Sequence, residues 1–327
     1  MRKLVSIITP CYNGEKFIKR FLDSIIDQTY EPVELIFVND GSTDQTEEIV
    51  LGYQSAFEKR GIKFIYRSQP NAGQAAALNE GLKWFTGEFL TWPDSDDWLE
   101  SSAIEKRVNF LESHSKYGFV RSNAWYVDYT TLKNTRRVSV LPKRRESKLF
   151  EGLLKGTQYW VPGCYLVRTS AFLNVNPKRS IENSFVGQNV QMLLPLAYKY
   201  LCGYMDECLY YYVNTPNSHS RVRRTYMQAC ERCDEFYRLL DSTCNKIEME
   251  ENERKKYSCQ VDEYWFFARR NLALQYKQIE DFKRYEMLYR KKYGAHRFIP
   301  LTWIYVWKGQ VNEMQLKCKN IVKQVIR

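Results

Sequence analysis

Three aspartates fall within four residues at Asp94-Ser95-Asp96-Asp97. Carboxylates this close repel one another unless a cation sits among them. Hard divalent cations such as Mg²⁺ and Mn²⁺ take oxygen ligands, commonly one or two carboxylates together with a substrate's phosphates. Taken alone, the stretch reads equally well as a solvated acidic turn leading into the next segment. Three more clusters belong with it: Thr9-Pro10-Cys11-Tyr12-Asn13, Val38-Asn39-Asp40-Gly41-Ser42-Thr43-Asp44 and Gln69-Pro70-Asn71-Ala72-Gly73. An acidic residue closing a strand is suited to accept hydrogen bonds from a base or a ribose hydroxyl. Yet the chain has no G-x-G-x-x-G and no G-x-x-x-x-G-K-S/T, so neither a dinucleotide fingerprint nor a P-loop is supported. Another device must hold the phosphates.

The elements that carry these clusters follow from hydrophobic spacing. Residues 4–9, 33–38, 62–66 and 88–92 are short apolar runs of the buried parallel-strand kind. Between them, apolar residues recur at helical spacing from Phe17 to Ile26, from Ile49 to Phe57 behind an Asp44 N-cap, and over 75–85. Such alternation implies βαβ units and a parallel sheet, whose ligands bind outside the carboxyl ends of the strands. All four clusters lie at those ends. Further on, residues 104–111 read as helix, 119–129 and 159–167 as strands, and 188–200 as helix. Residues 136–148 read as a basic, turn-rich loop, and 221–293 as long charged helices.

Taken in order and spacing, T-P-C-Y-N, V-N-D-G-S-T-D, P-N-A-G-Q-A-A-A-L-N and D-S-D-D resemble the nucleotide-sugar domain of family 2 glycosyltransferases. The resemblance covers roughly residues 1–130. It implies a GT-A fold, an α/β Rossmann-like and mostly parallel sheet flanked by helices, here with a helical C-terminal extension. It further implies a nucleotide-diphosphate-sugar donor (a UDP-sugar favoured), a divalent metal, Mn²⁺ or Mg²⁺, and inversion at the anomeric carbon. By position, Pro10, Tyr12 and Asn13 would line the base pocket, and Asp40 would contact the base. Asn71 and Gly73 would wrap the nucleotide. Asp94, followed by Ser95, would lie on the ribose or phosphate side, and Asp96 would bind the metal. Many members carry an Arg before the Asn of the third-helix motif; this chain has Leu78 before Asn79.

The second half departs further. Residues 160–168 resemble the family's acceptor-side strand, but Gly187-Gln188-Asn189 stands where members usually carry G-E-D with a general base. An amide is not basic near neutral pH. Three readings stay open: another carboxylate serves, with Glu182 and Asp97 the nearest by sequence; the acceptor needs little base assistance; or the protein binds nucleotide sugars or glycans without transferring them. The favoured reading keeps the activity, with Gln188 and Asn189 positioning the acceptor.

The formal net charge of +11 divides unevenly, from −6 over residues 1–100 to +8 over 101–250 and +9 over 251–327. The acidic third holds the expected donor and cation. The basic remainder suits a glycan or lipid-linked acceptor at an anionic membrane better than nucleic acid, for which no recognition motif appears. Residues 298–308 are rich in Trp, Tyr and Ile and flanked by cations, fitting either a membrane interface or an apolar segment folded back on the protein or on another copy. His219 reads as a further metal ligand or as a surface residue. Arg221, Arg223 and Arg224 read as opening a helix, where cations are disfavoured unless they bind an anion. Nine scattered cysteines without an export signal suggest reduced thiols, and Cys230-x-x-Cys233 reads as packed helix cysteines rather than a zinc site. The expected organisation is a glycosyltransferase domain over 1–220, split near 130 into donor and acceptor halves, then a basic helical region over 221–327. The expected location is cytoplasmic, peripheral at the inner face of the membrane.

Overall fold

A computed structural model describes residues 2–139, 146–215 and 222–294. The first two apolar runs become β1 (Val5–Cys11) and β2 (Val33–Asn39), in which every residue is buried. Helix α1 (Ile18–Ile26) connects them and buries Ile18, Phe21, Leu22 and Ile25 along one face. The single helix expected behind Asp44 is two, α2 (Thr46–Gly52) and α3 (Gln54–Lys59), divided just after Gly52, a poor helix former. The chain then runs through β3 (Lys63–Ser68), α4 (Gln74–Gly81) and β4 (Phe89–Thr91). β1 pairs in parallel with β2 on one side and β4 on the other, and β2 pairs with β3. The resulting order, β3-β2-β1-β4, reverses direction between β1 and β4. Sheets of this kind bind ligands at the carboxyl end of such a reversal. Here that end places Cys11-Tyr12-Asn13 beside Asp94–Asp97.

The second half extends the sheet through β5 (Trp98–Leu99), β6 (Tyr117–Asp128), β7 (Asn134–Arg137), β8 (Tyr165–Arg168) and β9 (Leu201–Asn214). The order continues β4-β8-β6-β9-β5, with β7 on β6. β8 is antiparallel to β4 and β6, whereas the long β6–β9 pairing is parallel. The strand expected over 159–167 is shorter than its sequence suggested, because Pro162–Cys164 forms a 3₁₀ turn ahead of β8. Tyr210 explains the turn's composition: a Cβ at Gly163 would lie 2.0 Å from its ring. Helices α5 (Ala103–Ser113), α6 (Phe150–Leu154), α7 (Thr169–Val175) and α8 (Gln188–Lys199) cover this half.

Three helices follow: α9 (Tyr226–Lys246), α10 (Glu251–Gln275) and α11 (Ile279–Tyr293). Tyr237 and Leu240 of α9 and Tyr257 and Val261 of α10 join the apolar core of the sheet, so the core is continuous. Thr225 and Gln228 form a capping box at the start of α9. Arg223 and Arg224 therefore precede the N-cap instead of lying in the first turn of the helix. Cys230 and Cys233 are both buried. Among the described residues no helix is long and apolar enough to cross a membrane. His219, Arg221, part of the basic loop and the aromatic tail at 298–308 lie outside the described residues.

Candidate functional site

The site begins with loops that stitch one another together. Asn13 sits at φ +51°, and its Oδ1 accepts from the Thr43 amide at 2.8 Å while its own amide donates to Ser42 Oγ at 2.9 Å. Positive φ is a conformation that Asn tolerates better than most residues. Next to it, Gly14 N donates to Thr46 Oγ1 at 2.7 Å and Glu15 N to Asp44 Oδ2 at 3.0 Å. Asp40, buried at the end of β2, accepts from Gln69 Nε2 (2.7 Å), Ala72 N (3.0 Å) and Gly73 N (2.9 Å). Its carboxylate thus holds the Asn71-Ala72-Gly73 loop and uses most of its acceptor capacity in doing so. Gly41 adopts φ +73°, and a Cβ there would meet the Asn71 amide nitrogen at 2.6 Å. Pro10 is buried in β1 opposite Val38, whereas Tyr12, Asn13 and Asn71 are exposed along the rim.

The acidic loop divides by depth. Asp97 is 1% exposed, and its Oδ1 accepts from Val213 N at 2.7 Å. Burial, then Asp96 and Asp94, pushes its pKa well above the carboxylate range. Asp94 is raised to about 7 by burial and by Asp96, against a hydrogen bond from Gln74 that favours the charged form. Asp96 is half-buried, its Oδ2 accepts from Thr215 Oγ1 at 3.0 Å, and its backbone carbonyl accepts from Arg20 Nη2 at 2.8 Å. Ser95 is buried beside the Cys11 thiol, itself buried. The chemistry of this donor set fits a cation. Mutual repulsion already burdens the loop, and Asp94 and Asp96 are both half-buried. Among the described residues no group of three or more acidic, His or Cys side chains is arranged to hold a metal by itself. Hard cations commonly take one or two carboxylates and complete the shell with phosphate and water.

The start of α8 reaches this loop through amides. Gln188 Nε2 donates to Gln74 Oε1 at 2.6 Å, and Gln74 Nε2 donates to Asp94 Oδ1 at 2.7 Å. Asn189 Oδ1 accepts from Trp92 Nε1 at 3.1 Å. The start of α8 is therefore fastened to the strand end that bears the aspartates. The two carboxylates considered as bases fare differently. Asp97 faces the interior, so it holds β9 instead of meeting a substrate. Glu182 is bound by Arg238 (2.8 Å) and Lys246 (3.0 Å) of α9, which lower its pKa to about 2 and make it a poor base.

Several participants had no sequence signal. Gln74 lies inside the P-N-A-G-Q-A-A-A-L-N motif, and nothing in its spacing marks it as a partner of Asp94. Tyr210 is one of three consecutive tyrosines; its hydroxyl accepts from Asp94 N at 3.2 Å. The ring of Phe185, 68% exposed, lies where a Cβ on Gly73 would be 3.2 Å from it. Only the meeting of segments more than a hundred residues apart reveals these contacts.

Comparison with known proteins follows the same outline. A family model described as glycosyl transferase family 2 matches residues 6–175. The Bacillus subtilis protein EpsE is 30% identical over 237 residues, covering 70% of this chain and 82% of EpsE. Glycosyltransferase GlyA of Streptococcus pneumoniae is 43% identical over 101 residues, covering 31% of this chain and 14% of GlyA. The match likewise spans 29% of an uncharacterized glycosyltransferase of Rickettsia felis, so this chain corresponds to a minor part of some relatives. Among solved structures, S. aureus TarS 1–349 in complex with UDP-GlcNAc superposes with a TM-score of 0.63 at 20% identity, over 91% of this chain and 95% of that one. The mannosyltransferase PcManGT of Pyrobaculum calidifontis, in complex with GDP-Man and Mn²⁺, gives 0.57 at 15% identity, over 90% and 77%. These likenesses establish a GT-A fold.

Proposed function

The chain belongs to glycosyl transferase family 2, and on that premise we propose that it moves a sugar from a nucleotide-diphosphate-sugar, a UDP-sugar by preference, to a glycan or lipid-linked acceptor in cell-surface polysaccharide synthesis. The observation that carries this reading is the joining of two regions at one sheet edge. The acidic loop after β4 lies beside the β1 and β2 loops, and α8 is bonded to it through Gln74. The donors named with TarS and PcManGT support the nucleotide-sugar class.

In this reading Tyr12, Asn13, Asp40, Asn71 and Gly73 form the nucleotide side, and Asp94 with Ser95 receives the ribose or the phosphates. Asp96, with His219 as a further candidate, would hold Mn²⁺ or Mg²⁺. When bound, such an ion offsets charge on the departing diphosphate. Gln188 and Asn189 orient the acceptor hydroxyl without acting as bases. The bond from the acceptor oxygen to the anomeric carbon forms as the bond to the diphosphate breaks. The electron pair leaves on the diphosphate, the hydroxyl proton passes to solvent, and the configuration inverts. The basic region over 221–327 would keep the protein at the cytoplasmic face of an anionic membrane.

The test is turnover of a panel of UDP- and GDP-sugars with Mn²⁺ and p-nitrophenyl glycosides as acceptors. We expect transfer by the wild type and a loss on the order of 10³-fold in Asp96→Ala. Unchanged transfer in Asp96→Ala would remove the metal role. Saturable donor binding with no turnover would instead assign a binding protein.

A further inference from the structure

We infer that Gln74 is a positioning residue for sugar transfer, one that carries the orientation of Asp94 across to Gln188 and so aims the Gln188 carbonyl at the acceptor hydroxyl. The inference rests on the transfer reading above and adds to it a residue outside the nucleotide and metal contacts.

Polarity is the first ground. A primary amide has one acceptor end and one donor end. Gln74 presents its NH₂ to Asp94 Oδ1 at 2.7 Å, the only arrangement open to an ionised carboxylate, which accepts and cannot donate. The carbonyl of Gln74 must then face the other way, where it accepts from Gln188 Nε2 at 2.6 Å. That bond in turn fixes Gln188 with its NH₂ inward and its Oε1 outward. Reversing Gln74 would set carbonyl against carboxylate and NH₂ against NH₂, and reversing Gln188 would set carbonyl against carbonyl. The ionised Asp94 therefore sets the direction of both amides.

What the last group can do is the second ground. Gln188 is half-buried at the first turn of α8, and its Oε1 has no hydrogen-bond partner among the described residues. It is not among the buried oxygens left without a partner. An oriented, accessible carbonyl oxygen is a hydrogen-bond acceptor for an incoming O–H. It directs an oxygen lone pair of that hydroxyl without removing its proton, and orientation of this kind contributes to rate by itself.

The third ground is that the relay is braced. Asn79, one turn and a half along α4 from Gln74, accepts from Ile181 N at 2.7 Å and donates to Ile181 O at 2.9 Å. Phe185 lies over Gly73. On its other side the same segment is held by α9: Glu235 Oε1 accepts from Ser184 Oγ at 2.7 Å, and Glu182 pairs with Arg238 and Lys246. The chain leading into Gln188 is thus fixed from two sides, which keeps the Gln74–Gln188 distance set.

A double-mutant cycle tests the relay on the full chain with Mn²⁺, using the UDP-sugar and p-nitrophenyl glycoside that the wild type turns over fastest. Gln74→Met and Gln188→Met keep side-chain length and lose the amide. The readout is the ratio of transfer to the glycoside over hydrolysis of the same donor by water. Each single variant should lower that ratio about tenfold, chiefly through a higher acceptor KM, and the double variant should be no worse than either one. A merely structural role would lower transfer and hydrolysis together and leave the ratio unchanged. A ratio within twofold of wild type in Gln74→Met, or a double variant whose loss is the product of the single losses, would overturn the relay. Asp96→Ala would still abolish turnover in that case, so the transfer reading would stand. A wild type with no turnover of any donor would overturn both. Thermal unfolding of each variant confirms that it is folded.

Discussion

The loops after β1, β2 and β3 and the segment from Ile181 to Gln188 meet near one edge of the sheet and are held there by different means. The first are held by bonds among polar residues of three motif loops: Asn13 to Ser42 and Thr43, Asp40 to Gln69, Ala72 and Gly73. The second has few bonds of its own and is clasped by α4 on one side and α9 on the other. Loops that bond one another are held locally, by contacts within the first hundred residues. A segment clasped between distant helices depends on how those helices pack. In the proposed reading the first would be the nucleotide side and the second the acceptor side.

Breaking each region separately sharpens the contrast. The largest effect should come from Asp40→Ala, which leaves Gln69, Ala72 and Gly73 donors without their charged acceptor. Urea unfolding should show a loss of about 3 kcal/mol, and donor KM should rise on the order of tenfold. Next comes Gly41→Ala, which asks a Cβ to sit 2.6 Å from the Asn71 nitrogen at φ +73°. A loss of about 2 kcal/mol is expected, with the donor side again affected before the acceptor side.

The smallest effect lies on the clasped side. Glu182→Gln removes the partner of Arg238 and Lys246 on a partly solvated surface, at a cost of about 1 kcal/mol or less at pH 7. The sign with pH follows from the depressed pKa, about 2 against an ordinary 4.5. The stabilisation is present above about 4.5 and fades as the pH falls through about 2. The difference in Tm between wild type and variant should therefore close at low pH. A gap that stays constant down to pH 2 would show that the ion pairs are not its source.

How much of this could be read from residues alone differs between the same two regions. The strands and helices of the first hundred residues follow from apolar spacing, apart from the division after Gly52 in the second helix. The four motif loops could be placed on one edge because strand-to-helix alternation sends every strand end the same way. The family resemblance gave Asp94, Asp96 and Asp97 separate roles, but composition and spacing alone do not show which of three neighbouring carboxylates is buried. Asp97 turns to the interior and bonds Val213, while Asp94 and Asp96 are half-buried. Glu182 looked like a base candidate from its nearness to Gln188 in sequence. Cations 56 and 64 residues later on α9 make it an ion-pair partner.

The sequence by itself determined the parallel half of the sheet, the polar loops at its carboxyl edge and the acidic character of the one after β4. These depend on local periodicity and on turn chemistry within a few residues. Only the tertiary structure decided that Asp97 is the buried carboxylate, where Tyr210 packs, and that Gln74 joins Gln188 to Asp94. Those outcomes depend on burial and on contacts across about a hundred residues of chain, and neither is encoded in the spacing of any one motif.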